Sequence, residues 1–121
     1  MGGNKMQSLQ KKRFSKPDKT IIHAKSRYDT IKMGNLTVVR MTYRPGWQWS
    51  KDIKPVAKTD SCKKHHFCYC LQGRVHVKMQ DGTELEFGPG DVVDVPPGHD
   101  AWVIGNKSAV FLDFVYPRTL K

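Results

Sequence analysis

The stretch Cys62–Asn106, CKKHHFCYCLQGRVHVKMQDGTELEFGPGDVVDVPPGHDAWVIGN, decides the fold. Three turn signals, Gln72-Gly73, Asp81-Gly82 and Gly88-Pro89-Gly90-Asp91, fall at close intervals between short apolar runs. Glycine supplies the positive φ such turns need, and proline and aspartate pre-set their geometry. Between the turns, apolar and polar residues alternate. Val75, Val77 and Met79 oppose Arg74, His76 and Lys78, and Thr83, Leu85 and Phe87 oppose Glu84 and Glu86. A period of two marks antiparallel strands with one buried face. Evenly spaced short strands joined by glycine turns point to an all-β sandwich or small barrel.

Working outward, Ala101–Gly105 reads as a short strand, and Ala109–Tyr116 as a strand apolar on both faces and so covered on both. Upstream, Cys68, Tyr69, Cys70 and Leu71 belong to a strand over His65–Leu71, and Lys54–Ser61 reads as a loop. Within Lys32–Tyr43 the run NLTVVRMTY, Asn35–Tyr43, reads as a further strand stopped by Arg44-Pro45-Gly46. Trp47 and Trp49, two residues apart, share one face of an extended chain. A short apolar piece over residues 20–24 adds an edge strand. Residues 1–19 are polar, basic and unpatterned, and read as a disordered leading segment ahead of one domain over residues 20–117.

The net charge of +10 invites a nucleic-acid reading, but its distribution argues against one. Residues 1–27 carry eight basic side chains against Asp18 alone, a net of +7, which leaves only +3 for the rest. Aromatic residues do not interleave with these charges as they do in single-strand binders. A contact with phosphate backbones through the basic arm is therefore the minor alternative. No apolar run approaches the roughly 18–20 residues that cross a bilayer, and the N-terminus shows no apolar core of a secretory signal. The three cysteines are an odd number. Cys68 and Cys70, two apart on a strand, lie about 6.5–7 Å from each other, too far for an easy disulfide. A reducing, cytoplasmic setting is expected.

With these residues in view, the chain resembles the cupin superfamily of jelly-roll, double-stranded β-helix domains. Gly90, five residues, then Pro96-Pro97-Gly98 matches the second cupin block, and Tyr69–Gly73 matches the strand that closes the first. The pieces PGWQWS from Pro45 and PPGHDAWV from Pro96 are similar to one subgroup of single-domain cupins. The resemblance implies an all-β barrel that pairs into a homodimer and holds a divalent metal through three histidines and a glutamate. The glutamate place falls at His66, the first two histidine places near Asp60 and Cys62, and the last at Ala101. The standard set is thus not present.

A site can be rebuilt from neighbouring residues. Cys62 and His66 share strand parity with Cys68 and Cys70, and His99 shares it with Ala101. Cys62, His66 and His99, with His65 or Asp100 as a fourth member, form a soft sulfur and nitrogen set that suits Zn²⁺, with Fe²⁺ or Ni²⁺ allowed by ligand type. Cys62 beside Lys63 and Lys64 also has the surroundings that favour a thiolate, with a histidine base close by. Trp47, Trp49, Tyr69 and Trp102 are candidates to line an apolar pocket for a small molecule. His76, between Arg74 and Lys78, is read as pointing to solvent. No acidic residues are spaced as in a glycosidase or a triad, so no catalytic residue is assigned. The functional expectation is a cupin that binds a divalent metal, a small organic ligand, or both inside the barrel. The alternative is a metal-free cupin that senses a ligand without turnover.

Overall fold

The computed structural model describes residues 8–115. Nine antiparallel strands follow in order: β1 Lys19–His23, β2 Ser26–Met33, β3 Leu36–Tyr43, β4 His66–Gln72, β5 Val75–Met79, β6 Glu84–Phe87, β7 Val92–Val95, β8 His99–Val103 and β9 Ala109–Val115. They form a six-stranded sheet, β1-β2-β3-β9-β4-β7, facing a three-stranded sheet, β6-β5-β8. This is the all-β, two-sheet architecture expected from the turn spacing, and the jelly roll that the resemblance implies.

The core lies between the sheets and is built by strand parity. Met41 and Tyr43 of β3, Cys68 and Cys70 of β4, Val93 and Val95 of β7 and Phe111 of β9 face Val75, Val77, Phe87, Ala101 and Val103 of the smaller sheet. On β9 the inward face (Ala109, Phe111, Asp113) is buried and the outward face is half-buried, a milder covering than the sequence suggests. On β6 only Phe87 is buried; Thr83 and Leu85 are exposed although they share its parity.

Gly73 joins β4 to β5 where the backbone crosses β9 at close range. A Cβ there would stand 2.5 Å from the Ser108 carbonyl oxygen and 2.6 Å from the Ala109 Cα, and its φ is +78°. Both conditions admit glycine alone without rearrangement. The residues between β3 and β4 are not all loop. A π-helical turn over Trp49–Ile53 runs into one α-helical turn, α1, over Lys54–Ala57. Asp100 of β8 anchors this insert by accepting the Ser50 N–H at 2.9 Å and the Gln48 Nε2–H at 3.1 Å.

Strand β2 carries no clear apolar pattern, because its buried anchor is an acid. Asp29 is fully buried and accepts hydrogen bonds from Thr20 Oγ1 at 2.8 Å, Arg27 Nε at 3.1 Å and Arg40 Nη2 at 3.3 Å. Burial pushes the Asp29 carboxyl up, but these donors outweigh it and hold the group below its usual range. Residues 1–7 of the basic leading segment lie outside the described residues. Further along, Lys12 donates to Asp18 and to the Lys32 carbonyl, and the Arg40 guanidinium lies 5.0 Å from the Phe14 ring centroid.

Candidate metal centre

Cys62 is held to the start of β8 by two backbone hydrogen bonds. Its N–H donates to the His99 carbonyl at 2.9 Å, and its own carbonyl accepts the Gly98 N–H at 2.7 Å. This bridge sets the sulfur beside the His99 ring. Four residues on, His66 opens β4 with its ring facing inward, and the two imidazole centroids lie 5.3 Å apart at 66°. One ligand atom from each of Cys62, His66 and His99 lies within 4.8 Å of the others. Cys62 and His99 are 8% and 4% exposed, so water competes little for these groups.

Each histidine spends its Nδ1 on an outer partner. His66 Nδ1–H donates to Asp113 Oδ2 at 2.7 Å, and His99 Nδ1–H donates to the Pro96 carbonyl at 2.8 Å. Such partners select a tautomer and leave Nε2 as the ligand atom, the arrangement that metal-bound histidines use. His66 Nε2 then stands 3.8 Å from Cys62 Sγ. A tetrahedral zinc ion with ordinary Zn–S and Zn–N bonds separates sulfur from nitrogen by about 3.6 Å. The donor set therefore fits a divalent ion held by Cys62, His66 and His99.

The electrostatics favour the Cys62 thiolate, and they also hold on His66 a proton that an incoming ion would have to displace. Burial alone would raise the Cys62 thiol, but hydrogen bonds with the His66 and His99 rings and with the Lys64 backbone bring it down to about 6. Burial alone would lower His66, but Asp113 and Cys62 lift it to about 9. Cys68 behaves oppositely: burial and the neighbouring Asp113 carboxylate push its thiol far up, which disfavours the thiolate form, although its sulfur lies within 4.8 Å of ligand atoms of His66 and Asp113. One of the three cysteines is thus chemically distinct.

The cluster sits on the wall of a cavity of about 760 Å³ between the two sheets. That volume is within the range of small-molecule sites. Its inner wall is apolar and aromatic, with Trp47 stacked on Tyr43 at a centroid distance of 3.8 Å and Phe111 and Phe87 beyond. The buried Trp47 indole N–H has no acceptor among the described residues.

A family model for the EutQ-like cupin domain matches residues 48–110, just over half of the chain. The chain belongs to the EutQ-like cupin family. No curated protein matches it in sequence. Among solved structures it is similar to a protein of unknown function from Rhizobium leguminosarum, with 19% identity, 92% of this chain and 99% of that one covered, and a TM-score of 0.63. It is also similar to the polyketide cyclase RemF from Streptomyces resistomycificus, with 16% identity, 88% and 78% covered, and a TM-score of 0.63. The EutQ protein of Clostridium difficile follows with 14% identity, 76% and 68% covered, and a TM-score of 0.53. At these identities the structural likeness establishes the fold alone.

In this EutQ-like cupin, Cys62, His66 and His99 come together as the strand parity suggests. The other expected members do not join them. His65 is exposed and pairs with Asp94, and Asp100 is committed to the helical insert. Asp60 is exposed, and Ala101 is a small buried wall residue. Trp47 and Trp49 line the cavity, but Tyr69 and Trp102 do not. The reason is parity. Tyr69 alternates with the inward Cys68 and Cys70, and is 39% exposed on the outer face. Trp102 alternates with the inward Ala101 and Val103, and stacks at 4.7 Å on His76, whose Nε2 bonds to Glu84.

The residue that sequence reasoning misses is Asp113. It is 6% exposed, supports the His66 ring through one oxygen, and accepts the Phe67 N–H at 3.0 Å through the other. Cys68 and Asp113 are paired residues of β4 and β9, far apart in the chain. The available signal was a lone acid at an inward position of the otherwise apolar AVFLDFV strand.

Proposed function

We propose that this cupin binds a divalent metal through Cys62, His66 and His99, and receives a small organic ligand in the adjoining cavity. The observation that carries the reading is the outer partnering of both histidines. Asp113 and the Pro96 carbonyl hold the two Nδ1 atoms, so Nε2 is the ligand atom each ring offers, that of His66 once its proton is displaced, next to a thiol already biased toward thiolate. One sulfur and two nitrogens favour Zn²⁺, then Fe²⁺ or Ni²⁺. Three protein ligands leave a coordination position for a ligand from the cavity. Bound there, the ion supplies a Lewis acid. The chain's own contributions are orientation by Asp113 and Pro96, and exclusion of water by the Trp47, Tyr43 and Phe111 wall.

Elemental analysis of protein purified without chelator or nickel resin tests the reading. Near-stoichiometric metal that is lost in His66→Ala and His99→Ala is the expected result. Wild-type protein that stays metal-free after exposure to zinc, iron and nickel overturns it. The working state belongs to the same proposal: a cytoplasmic homodimer, with Tyr69, Val92 and Leu112 as neighbours on the outer face of the larger sheet. Tyr69 and Val92 are exposed apolar residues. A monomeric mass by light scattering at working concentration would remove the dimer from it.

A further inference from the structure

The cavity has two polar levels. The deep one is the Cys62, His66, His99 and Asp113 cluster, whose polar atoms are bonded within the cluster or to nearby backbone. The outer one is the rim, where Lys63 and Lys64 join the lining directly after Cys62. Here the chain has left the bridge at Cys62 and not yet entered β4, so consecutive side chains need not point to opposite faces. Both lysines are exposed, and neither has an ion-pair partner among the described residues. Lys12 is paired with Asp18, Lys25 with Asp52 and His65 with Asp94, while other surface lysines such as Lys78 and Lys107 are also without an ion-pair partner among the described residues. What sets Lys63 and Lys64 apart is their place on the cavity lining.

The rest of the rim does not compensate them. β1 contributes Ile21 and His23, α1 contributes Val56 and Ala57, and β9 contributes Val115. Asp113 is the one acidic side chain of the lining among the described residues, and both of its oxygens are engaged in the deep cluster. An ion held by Cys62 would be offset in part by the thiolate and the Asp113 carboxylate. The two ammonium groups at the mouth remain uncompensated in either case. Low-dielectric walls behind such a mouth focus its field on an entering solute.

We infer that the ligand is a small carboxylate with an apolar, ring-sized body, its acid group held at the rim by Lys63 and Lys64 and its body against the aromatic wall. The two levels are close. The Lys64 Cα lies at most about 7.6 Å from that of Cys62, so one small molecule spans from the rim to the cluster. A cationic or zwitterionic ligand would meet like charge at the entrance. A fully polar ligand would leave its groups unpaired against Tyr43, Trp47 and Phe111.

This inference rests on the proposed cavity site, and the test keeps the two separable. A panel of aromatic acids, among them 3-phenylpropanoate and 2-naphthoate, is titrated against the matched neutral amides by calorimetry, at low and at high salt. The metal content of every sample is measured. Two exposed charge contacts predict that the best acid binds on the order of tenfold more tightly than its amide at low salt. Screening should reduce the ratio at high salt. The Lys63→Gln/Lys64→Gln double variant should bring the ratio near one without losing metal. A remote control pair, Lys78→Gln/Lys107→Gln, should leave it unchanged. The inference is overturned if no acid outbinds its amide, including the case in which nothing in the panel binds, or if the double variant keeps the preference. A metal-free wild type that still prefers acids overturns the metal reading and leaves this one standing.

Discussion

Asp113→Asn alters one terminal atom and tests the metal site through a residue that would not touch the metal. Asp113 Oδ2 accepts the His66 Nδ1–H at 2.7 Å while Oδ1 accepts the Phe67 N–H at 3.0 Å. An asparagine can satisfy only one of these donors. If its oxygen stays with Phe67, its NH₂ group faces His66 and demands a lone pair at Nδ1. The ring then carries its proton on Nε2, the atom facing Cys62, and no longer has a lone pair there for an ion. If the amide flips, its NH₂ group faces the Phe67 N–H, and the hydrogen bond that Asp113 Oδ1 accepts there is lost instead. Loss of such an outer partner lowers metal affinity about 10–100-fold. At zinc equal to 100 times the wild-type dissociation constant, wild type gains about 2.7 kcal/mol of stability. The variant at the same zinc should gain only about 0.4–1.4 kcal/mol. Urea unfolding with and without zinc measures the difference, and cobalt substitution adds a readout that mere destabilisation does not mimic, because the thiolate-to-cobalt absorption should weaken. A folded Asp113→Asn protein with wild-type zinc affinity, alongside a zinc-free His66→Ala, would refute the tautomer reasoning.

Cys62→Ser should weaken zinc binding by at least about tenfold, since a hard hydroxyl replaces the thiolate; competition with a chromophoric chelator measures it, and unchanged affinity would remove Cys62 from the ligand set. In metal-free protein, iodoacetamide should label Cys62 with a midpoint near pH 6, while Cys68 stays unmodified in the folded state; mass spectrometry of the labelled peptide decides. The same shifts set a stability window for the metal-free protein. Cys62 has a lowered folded value, so its contribution is complete above the ordinary thiol range and is lost as pH falls through about 6. His66 has a raised folded value, so its contribution is complete below about 6.5 and is lost as pH rises through about 9. Between about pH 6.5 and 9 one contribution grows as the other declines, so the Tm of the metal-free protein should change little across that range, and a steep slope there would contradict the pairing. Gly73→Ala should destabilise the fold by roughly 2–3 kcal/mol or more, from a strained positive φ and a clash with Ser108 and Ala109; a loss under about 0.5 kcal/mol in urea would show that the crossing relaxes freely.

Much of this molecule is legible from neighbouring residues. Turn chemistry at Gly73, Gly82 and Gly90, with a period of two between them, makes the strands of the smaller sheet and the inward set of β4 legible, because both signals are local. The same parity brings Cys62, His66 and His99 to one side of the chain. It also argues against Tyr69 and Trp102 as cavity residues: they alternate with inward Cys70 and Ala101, and the backbone pleat sends them outward. An aromatic residue near a site in sequence is not thereby near it in space.

Tertiary structure alone decided the rest. Asp113 reaches His66 because β4 pairs with β9, a register set by the whole larger sheet and not by any residue near His66. Strand β2 stays hidden in the sequence because Asp29 takes a core position, acceptable only once Thr20, Arg27 and Arg40 arrive from three strands. Which imidazole nitrogen faces Cys62 likewise depends on partners 3 and 47 residues away. Local sequence determined most of the strands apart from β2, and which side chains of β4 and β5 turn inward, since backbone sterics act between neighbours. What those inward groups are, chemically, depends on contacts made across the barrel, where a single hydrogen bond selects a tautomer and shifts a thiol.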